Sequence, residues 1–308
     1  MSALASPASL KGVLSAREAA AFLAEGFRRG GADVEELPIA DGGEGTAEVL
    51  GARVCRRVRV SDAFGRPHDA PIRVLPDGTA VVESADAIPL DPRRLDPVAA
   101  SSRGFGELIA EVEAERLLVC LGGTANVDGG AGLLEVLDEL PAPTTVLCDA
   151  LVPLRDAALR FAPQKGATPE QVELLEDRLA SMPELEPYAE LPGAGAAGGL
   201  GAALAALGAE LVPGAREVLR RLCFSDHVRA ADLVVTGEGA IDATTATGKA
   251  VGEVVRVCID EGVRCVVFGG RVELELPGAE MVALSGDPGR ARDDLMALAE
   301  RLGRARQT

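Results

Sequence analysis

Residues 38–46, PIADGGEGT, set two carboxylates, Asp41 and Glu44, among three glycines with no basic residue in the stretch. A bare turn needs one glycine and one aspartate, so the acids exceed what the turn requires. Oxygen donors of this kind suit Mg²⁺, or one of them could take a proton. Two longer glycine-rich stretches carry more acids and hydroxyls. GGTANVDGGAG offers Thr124, Asn126 and Asp128, and GEGAIDATTATGK, preceded by Thr236, offers Glu238 and Asp242. Among 31 basic residues only Lys11, Lys165 and Lys249 are lysines, and each adjoins a glycine, in SLKGV, PQKGA and ATGKA. A compact ammonium beside bare backbone suits a point contact to phosphate or carboxylate. The plainer reading is an ordinary loop cation. A phosphate cradle with carboxylates beside it is what phosphoryl transfer uses, because Mg²⁺ takes oxygen ligands and bridges phosphates.

Other chemistries find less support. A Walker A motif fails at Gly248-Lys249, where Ala243 stands for the first glycine and Ala250 for the hydroxyl. PGAGAAGGLG matches GxGxxG at Gly193, Gly195 and Gly198, but it follows LEPYAELP, which is not a buried strand. A glycine-rich helix start that lets another backbone come close explains it better. His68 and His227 each adjoin an acid, and neither has metal-ligand spacing. Proton transfer would fall to a carboxylate or a lysine.

These groups must be carried by a frame. Short apolar runs (LLVCL, TTVLC, DLVVT, CVVFG, MVALS) read as buried parallel strands. Helices are expected between them at 168–180, 216–222, 249–259 and 290–302, with a further one at 15–29 opened by a Ser15/Glu18 capping box. Strands alternating with helices predict an α/β fold with a mostly parallel sheet. Residues 53–83 break that rhythm: RVCRRVRV, APIRVL and TAVVE, separated by FGRP and PDG turns, read as a β-rich part of a second lobe. The expected division is a Rossmann- or flavodoxin-like lobe from 1–52 and 225–308, and a second α/β lobe from 53–224. The loops after LLVCL and DLVVT then lie at strand carboxyl ends, where open α/β sheets bind ligands. There the backbone of Gly122 and Gly123, and of Gly237 and Gly239, can approach phosphate.

Composition narrows the partners. The 308 residues carry a net charge of −17, with the acids spread along the chain, which disfavours nucleic acid and anionic membrane. No run reaches the ~18 apolar residues of a membrane span, and the N-terminus lacks the pattern of a signal peptide. The six cysteines form no CxxC and lie mostly in apolar surroundings, so buried thiols of a cytoplasmic protein are expected.

IADGGEGT, SSRGFGELI, LGGTANVDGGAG, PQKGAT, PGAGAAGGLGAAL with GAEL, and ADLVVTGEGAID with a following TGK occur in this order. Together they closely resemble the bacterial class I glycerate kinases over nearly the whole chain. The resemblance implies transfer of the ATP γ-phosphate to D-glycerate with Mg²⁺, typically at the 2-hydroxyl, giving 2-phosphoglycerate. It also implies two α/β lobes with the site in the cleft between them. Within that reading, Asp41, Asp149 and Lys165 are assigned catalytic roles and Asp41 with Glu44 the metal. Lys11, Gly122, Gly123, Thr124, Asn126, Asp128, Gly237, Glu238, Gly239, Asp242 and Lys249 are assigned to substrate or phosphate. The partners are then glycerate and ATP, with room for a homodimer. The chain departs from the family pattern at Ala8 and Val152, where an aspartate and an asparagine are usual, and at Ala240 in place of an arginine. The alternative is a related protein that binds a metabolite without turning it over.

Overall fold

The structure is a computed structural model that describes residues 1–243, 245 and 249–305. Thr247 and Gly248 of the TGK motif lie outside the described residues. The chain divides into two compact units, 1–41 with 215–308, and 42–214. Their boundaries, at 41/42 and 214/215, compare with 52/53 and 224/225 in the sequence reading.

Residues 1–41 supply β1 (Ser2–Ala5), α1 (Ala16–Arg29) and β2 (Asp33–Glu36). The second unit holds, in chain order, α2 (Thr46–Val49), β3 (Arg53–Ser61), β4 (Pro67–Val74), β5 (Ala80–Glu83), α3 (Ser84–Ala87), α4 (Arg103–Ala110) and β6 (Leu117–Leu121). It continues through α5 (Ala131–Leu134), β7 (Thr144–Cys148), α6 (Ala157–Phe161), α7 (Pro169–Ala180), α8 (Ala196–Ala206) and β8 (Glu210–Pro213). From α9 (Gly214–Arg221) the chain returns to the first unit. It adds α10 (Phe224–Arg229), β9 (Leu233–Ile241), α11 (Ala250–Glu261), β10 (Arg264–Val272), β11 (Glu280–Ala283) and α12 (Ala291–Arg304).

The first unit is a five-stranded parallel sheet in the order β11-β10-β9-β1-β2. Alternate residues feed two cores, as a parallel sheet covered on both faces requires. Ala3, Ala5, Val235 and Phe268 meet Leu23 and Phe27 of α1 and Leu295 and Ala299 of α12. Leu4, Val234 and Val267 face Val251, Val254 and Cys258 of α11. α1 begins at the expected Ser15/Glu18 capping box. It lies against α12 at Gly26, where a β-carbon would come 2.3 Å from the Met296 carbonyl oxygen. The strand order reverses between β1 and β9, so their following loops diverge at the carboxyl edge and leave room for a ligand.

The second unit is a six-stranded sheet, β3-β4-β5-β6-β7-β8, antiparallel across β3-β4-β5 and parallel from β5 to β8. The FGRP turn closes on Asp62, whose carboxylate accepts from the amides of Phe64 and Arg66. α7 starts at Thr168 with Pro169 next and Gln171 completing the capping box. One apolar core underlies the sheet, including Val82, Val119, Val146, Phe105, Leu175 and Leu200. Strands β5, β6 and β7 are parallel neighbours, so the loops that follow them open at the same edge. Four of the cysteines are buried as expected, while Cys55 and Cys223 are exposed. Cys55 lies on β3, at the sheet edge, and Cys223 in the short link between α9 and α10.

Candidate active site

Lys165 ends a short 3₁₀ turn and is 4% exposed. Its Nζ donates to the Asn126 carbonyl oxygen at 2.6 Å and to Thr124 Oγ1 at 3.4 Å. Burial pushes its pKa down to about 8, against the pull of Asp149 and Asp128, which favour the charged form. Asp149 follows β7 directly. A β-carbon on Gly122 would lie 2.8 Å from Asp149 Oδ2 and 3.0 Å from Gly43 Cα. One on Gly123, at φ +67°, would lie 3.2 Å from Glu44 Oε2. Glycine is therefore required where this backbone passes two carboxylates. Glu44, Gly122, Gly123, Thr124, Asn126, Asp149 and Lys165 thus converge at the carboxyl ends of β6 and β7.

Asp128 belongs to the same group but is fully engaged. Its carboxylate accepts from the Ser102 amide and hydroxyl, from Asn126 Nδ2, and from the amides of Gly130 and Gly132. With both oxygens occupied, it shapes the loop rather than offering a lone pair outward. Behind the loop stands the glycine-rich start of α8, where Ala197, Gly198 and Gly199 take left-handed backbone angles. A β-carbon on Gly198 would fall 2.3 Å from the Asn126 carbonyl oxygen, and the Ala197 carbonyl accepts from Asn126 Nδ2. PGAGAAGGLG is thus a close backbone contact, as its context in the sequence implied.

The first unit assembles a second group at the switch point. Residues 6–8 run beside β9, with the Ser6 amide donating to Val235 O and the Ala8 amide to Gly237 O. Lys11 is exposed, and its amide nitrogen would lie 3.8 Å from a β-carbon on Gly239. Glu238 accepts from Thr245 Oγ1 at 2.8 Å, and Thr245 Oγ1 accepts from the Asp242 amide at 3.2 Å. Burial raises the Glu238 carboxyl above its usual range, with Lys249 and the Thr245 hydrogen bond pulling it down, and with Asp41 and Asp242 adding a smaller push upward. Asp41, Gly237, Gly239, Glu238, Asp242 and Lys249 therefore share one neighbourhood, and Lys249 is the N-cap of α11. Thr236 and Ser6 add buried hydroxyls, neither with a hydrogen-bond partner among the described residues.

Asp41 and Glu44, paired in the sequence reading, fall on opposite sides of the unit boundary, so each carboxylate joins a different group. Sequence reasoning passed over Glu83, Ser84, Ser102 and Thr245. Glu83 closes a β-run in which alternation gave it no distinction, and Ser84 follows just past it; Ser102 lay inside the quoted SSRGFGELI but had no visible partner. A carboxylate at the end of a buried strand, as in VVES, was the available signal.

Comparison with known proteins places these motifs in one family. The Glycerate kinase family profile matches residues 3–140 and 141–286. The chain is 35% identical to the glycerate kinase of Bacillus subtilis (strain 168), over 81% of this chain and 79% of that protein. It is 34% identical to the glycerate 2-kinase of Escherichia coli (strain K12), over 81% and 80%. The crystal structure of a putative glycerate kinase 2 from Salmonella typhimurium LT2 superposes with a TM-score of 0.78 at 31% identity, covering 98% of this chain and 97% of that one. With matching sequence blocks and a matching fold along its length, the chain belongs to the glycerate kinase family.

Proposed function

We propose that this enzyme transfers the γ-phosphoryl group of ATP to the 2-hydroxyl of D-glycerate, giving 2-phosphoglycerate. The observation that carries the reading is the buried Lys165 ammonium set beside the Gly122–Asn126 loop, with Asp149 and Glu44 against the same glycines. A cation held in a dry wall gains strength toward an anionic ligand, because little water competes for it. Phosphoryl transfer asks little covalent chemistry of a protein beyond placing the two oxygens in line and neutralising charge. Lys165 binds the glycerate carboxylate or the transferring phosphoryl group. In the second unit the backbone amides of Gly123 and Thr124, and in the first the backbone of Gly237–Gly239 with Lys249 and Lys11, are donors suited to nucleotide phosphates.

Among the described residues no group of three or more His, Cys, Asp or Glu is placed to hold a metal ion. Mg²⁺ is commonly held by one or two carboxylates together with substrate phosphates, and the carboxylates present fit that mode. Glu238 is raised chiefly by its burial and in part by Asp41 and Asp242, so a cation would relieve an existing repulsion. Asp41 in its group and Glu44 in the other would each offer a carboxylate to Mg²⁺, which when bound neutralises phosphate charge. The substrate hydroxyl must lose its proton as it attacks, and Asp41 or Asp149 accepts it. The test is ADP release with ATP, Mg²⁺ and D-glycerate, followed by identification of the phosphorylated position. Turnover should fall by about 100-fold or more in Lys165→Ala, equivalent to about 2.7 kcal/mol of barrier. Turnover no higher in the native enzyme than in that variant would sink the reading.

A further inference from the structure

We infer that the Glu83-Ser84 dipeptide, at the carboxyl end of β5, positions the two loops of the Lys165 group, Glu83 setting the Glu44 loop and Ser84 the Gly122–Thr124 loop. The inference rests on the kinase reading and adds positioning residues to it. The Glu83 carboxylate, on a residue 4% exposed, accepts from the Ala47 amide at 2.7 Å and the Gly45 amide at 3.2 Å. The neighbouring Ser84 hydroxyl accepts from the Gly122 amide and donates to the Gly122 carbonyl, both at 3.1 Å. Two consecutive residues of one strand end therefore grip both loops.

The capping geometry separates a positioning role from a merely local one. A four-residue helix such as α2 is ordinarily capped by the side chain just before its first turn. Here that position is Gly45, at φ +87°, which has no side chain to offer. The acceptor comes from 36 to 38 residues away, so it fixes α2 and its leading residue Glu44 against β5. The cost is a buried carboxylate. Desolvation raises Glu83, and Asp86 adds to this, while the Ala47 and Gly45 amides and Arg73 favour the charged form. Arg73 is itself paired with Asp86. A carboxylate retained in such surroundings, with both oxygens spent on one loop, is there for the placement of that loop.

Two measurements test the inference. Glu83→Gln keeps the shape but leaves one good acceptor for two amides. It should lower kcat about tenfold, with KM for ATP and glycerate changed by no more than about twofold. In a Glu44→Gln background the same substitution should cost nothing further, since its effect runs through Glu44. Equal losses in both backgrounds would overturn the inference. Amide hydrogen exchange supplies a readout independent of turnover. Glu83→Gln should speed exchange at Gly45 and Ala47 and leave Gly122 unchanged, and Ser84→Ala should do the reverse. Unchanged protection, or loosening spread across the unit, overturns it. If Glu83→Gln fails to fold, the Gly122 response of Ser84→Ala decides the matter. If the native enzyme does not phosphorylate glycerate while the exchange pattern holds, the kinase reading fails and the positioning stands.

Discussion

Replacing Lys165 by methionine should stabilise the second unit at neutral pH, and the gain should vanish as the pH rises. The folded chain holds this lysine at about 8, whereas an exposed lysine in the unfolded chain titrates near 10.5. Between those values the unfolded state binds more protons, so stability rises with pH. Below about 8 the folded state carries the full penalty of a buried ammonium, about 3 kcal/mol at about 1.4 kcal/mol per pH unit. Above 10.5 neither state is protonated and the penalty is gone. Methionine has a similar length and no charge, so the variant lacks this term at every pH.

The difference between the two proteins isolates the lysine. Asp149 and Asp128 are the charges that oppose its neutralisation, and burial, with Asp149 adding to it, pushes the Cys148 thiol up to about 12. The lost bonds to Asn126 O and Thr124 Oγ1 contribute a constant offset. Urea unfolding can be followed by the chain's one tyrosine, Tyr188, which packs against the core of the second unit; tryptophan is absent. Between pH 7 and 9.5 the stability of the native protein should rise by about 2 kcal/mol relative to the variant, roughly a thirtyfold change in the unfolding constant. A difference that stays flat across that range would refute the argument, because Lys165 would then titrate as an exposed lysine does.

Three further outcomes follow from the same geometry. In the free enzyme Lys165 must be charged to bind an anion, so kcat/KM for glycerate should decline as the pH rises through about 8, while buffer effects common to all substrates are removed by controls. Asp41→Asn should lower turnover by about 100-fold and leave Tm nearly unchanged, whereas a joint fall would make Asp41 a structural turn residue. Gly198→Ala places a methyl 2.3 Å from the Asn126 carbonyl oxygen at φ +73°; it should cost about 2–4 kcal/mol in urea unfolding and lower kcat/KM through the displaced Lys165 acceptor.

The strands were legible where apolar runs are continuous. TTVLC is β7 at its residues, and LLVCL is β6, because a strand buried on both faces must be apolar throughout. β2 was not legible: DVEE has one partly buried side chain and lies at the sheet edge, so pairing with β1 makes it a strand without leaving a pattern. β1 is a short SALA strand whose small, buried residues fit a central position between β9 and β2. Most of the Lys165 group could be named from residue types, since a chain with three lysines advertises each of them. Its organisation could not, because it depends on contacts between residues dozens of positions apart.

Asp128 and Glu83 show what such contacts do to a carboxylate's meaning. In the sequence Asp128 looked like a ligand and Glu83 like the last residue of a strand. In the fold both are acceptors for backbone amides, five donors for one and two for the other. Two acids are thus spent on geometry, leaving Glu44 and Asp149 as the carboxylates of this unit set against Gly122 and Gly123. The excess charge of DGGEGT follows the same division. The amides of Gly45 and of Ala47, just past the stretch, are tied down by a buried acid from β5, so Glu44 itself need not serve the turn. If that division is right, Asp128→Ala should cost about 3 kcal/mol or more, because a buried hydroxyl and three amides lose their acceptor, whereas Glu44→Gln should lower turnover with little change in stability. Comparable losses of stability in the two variants would show that Glu44, too, is part of the frame.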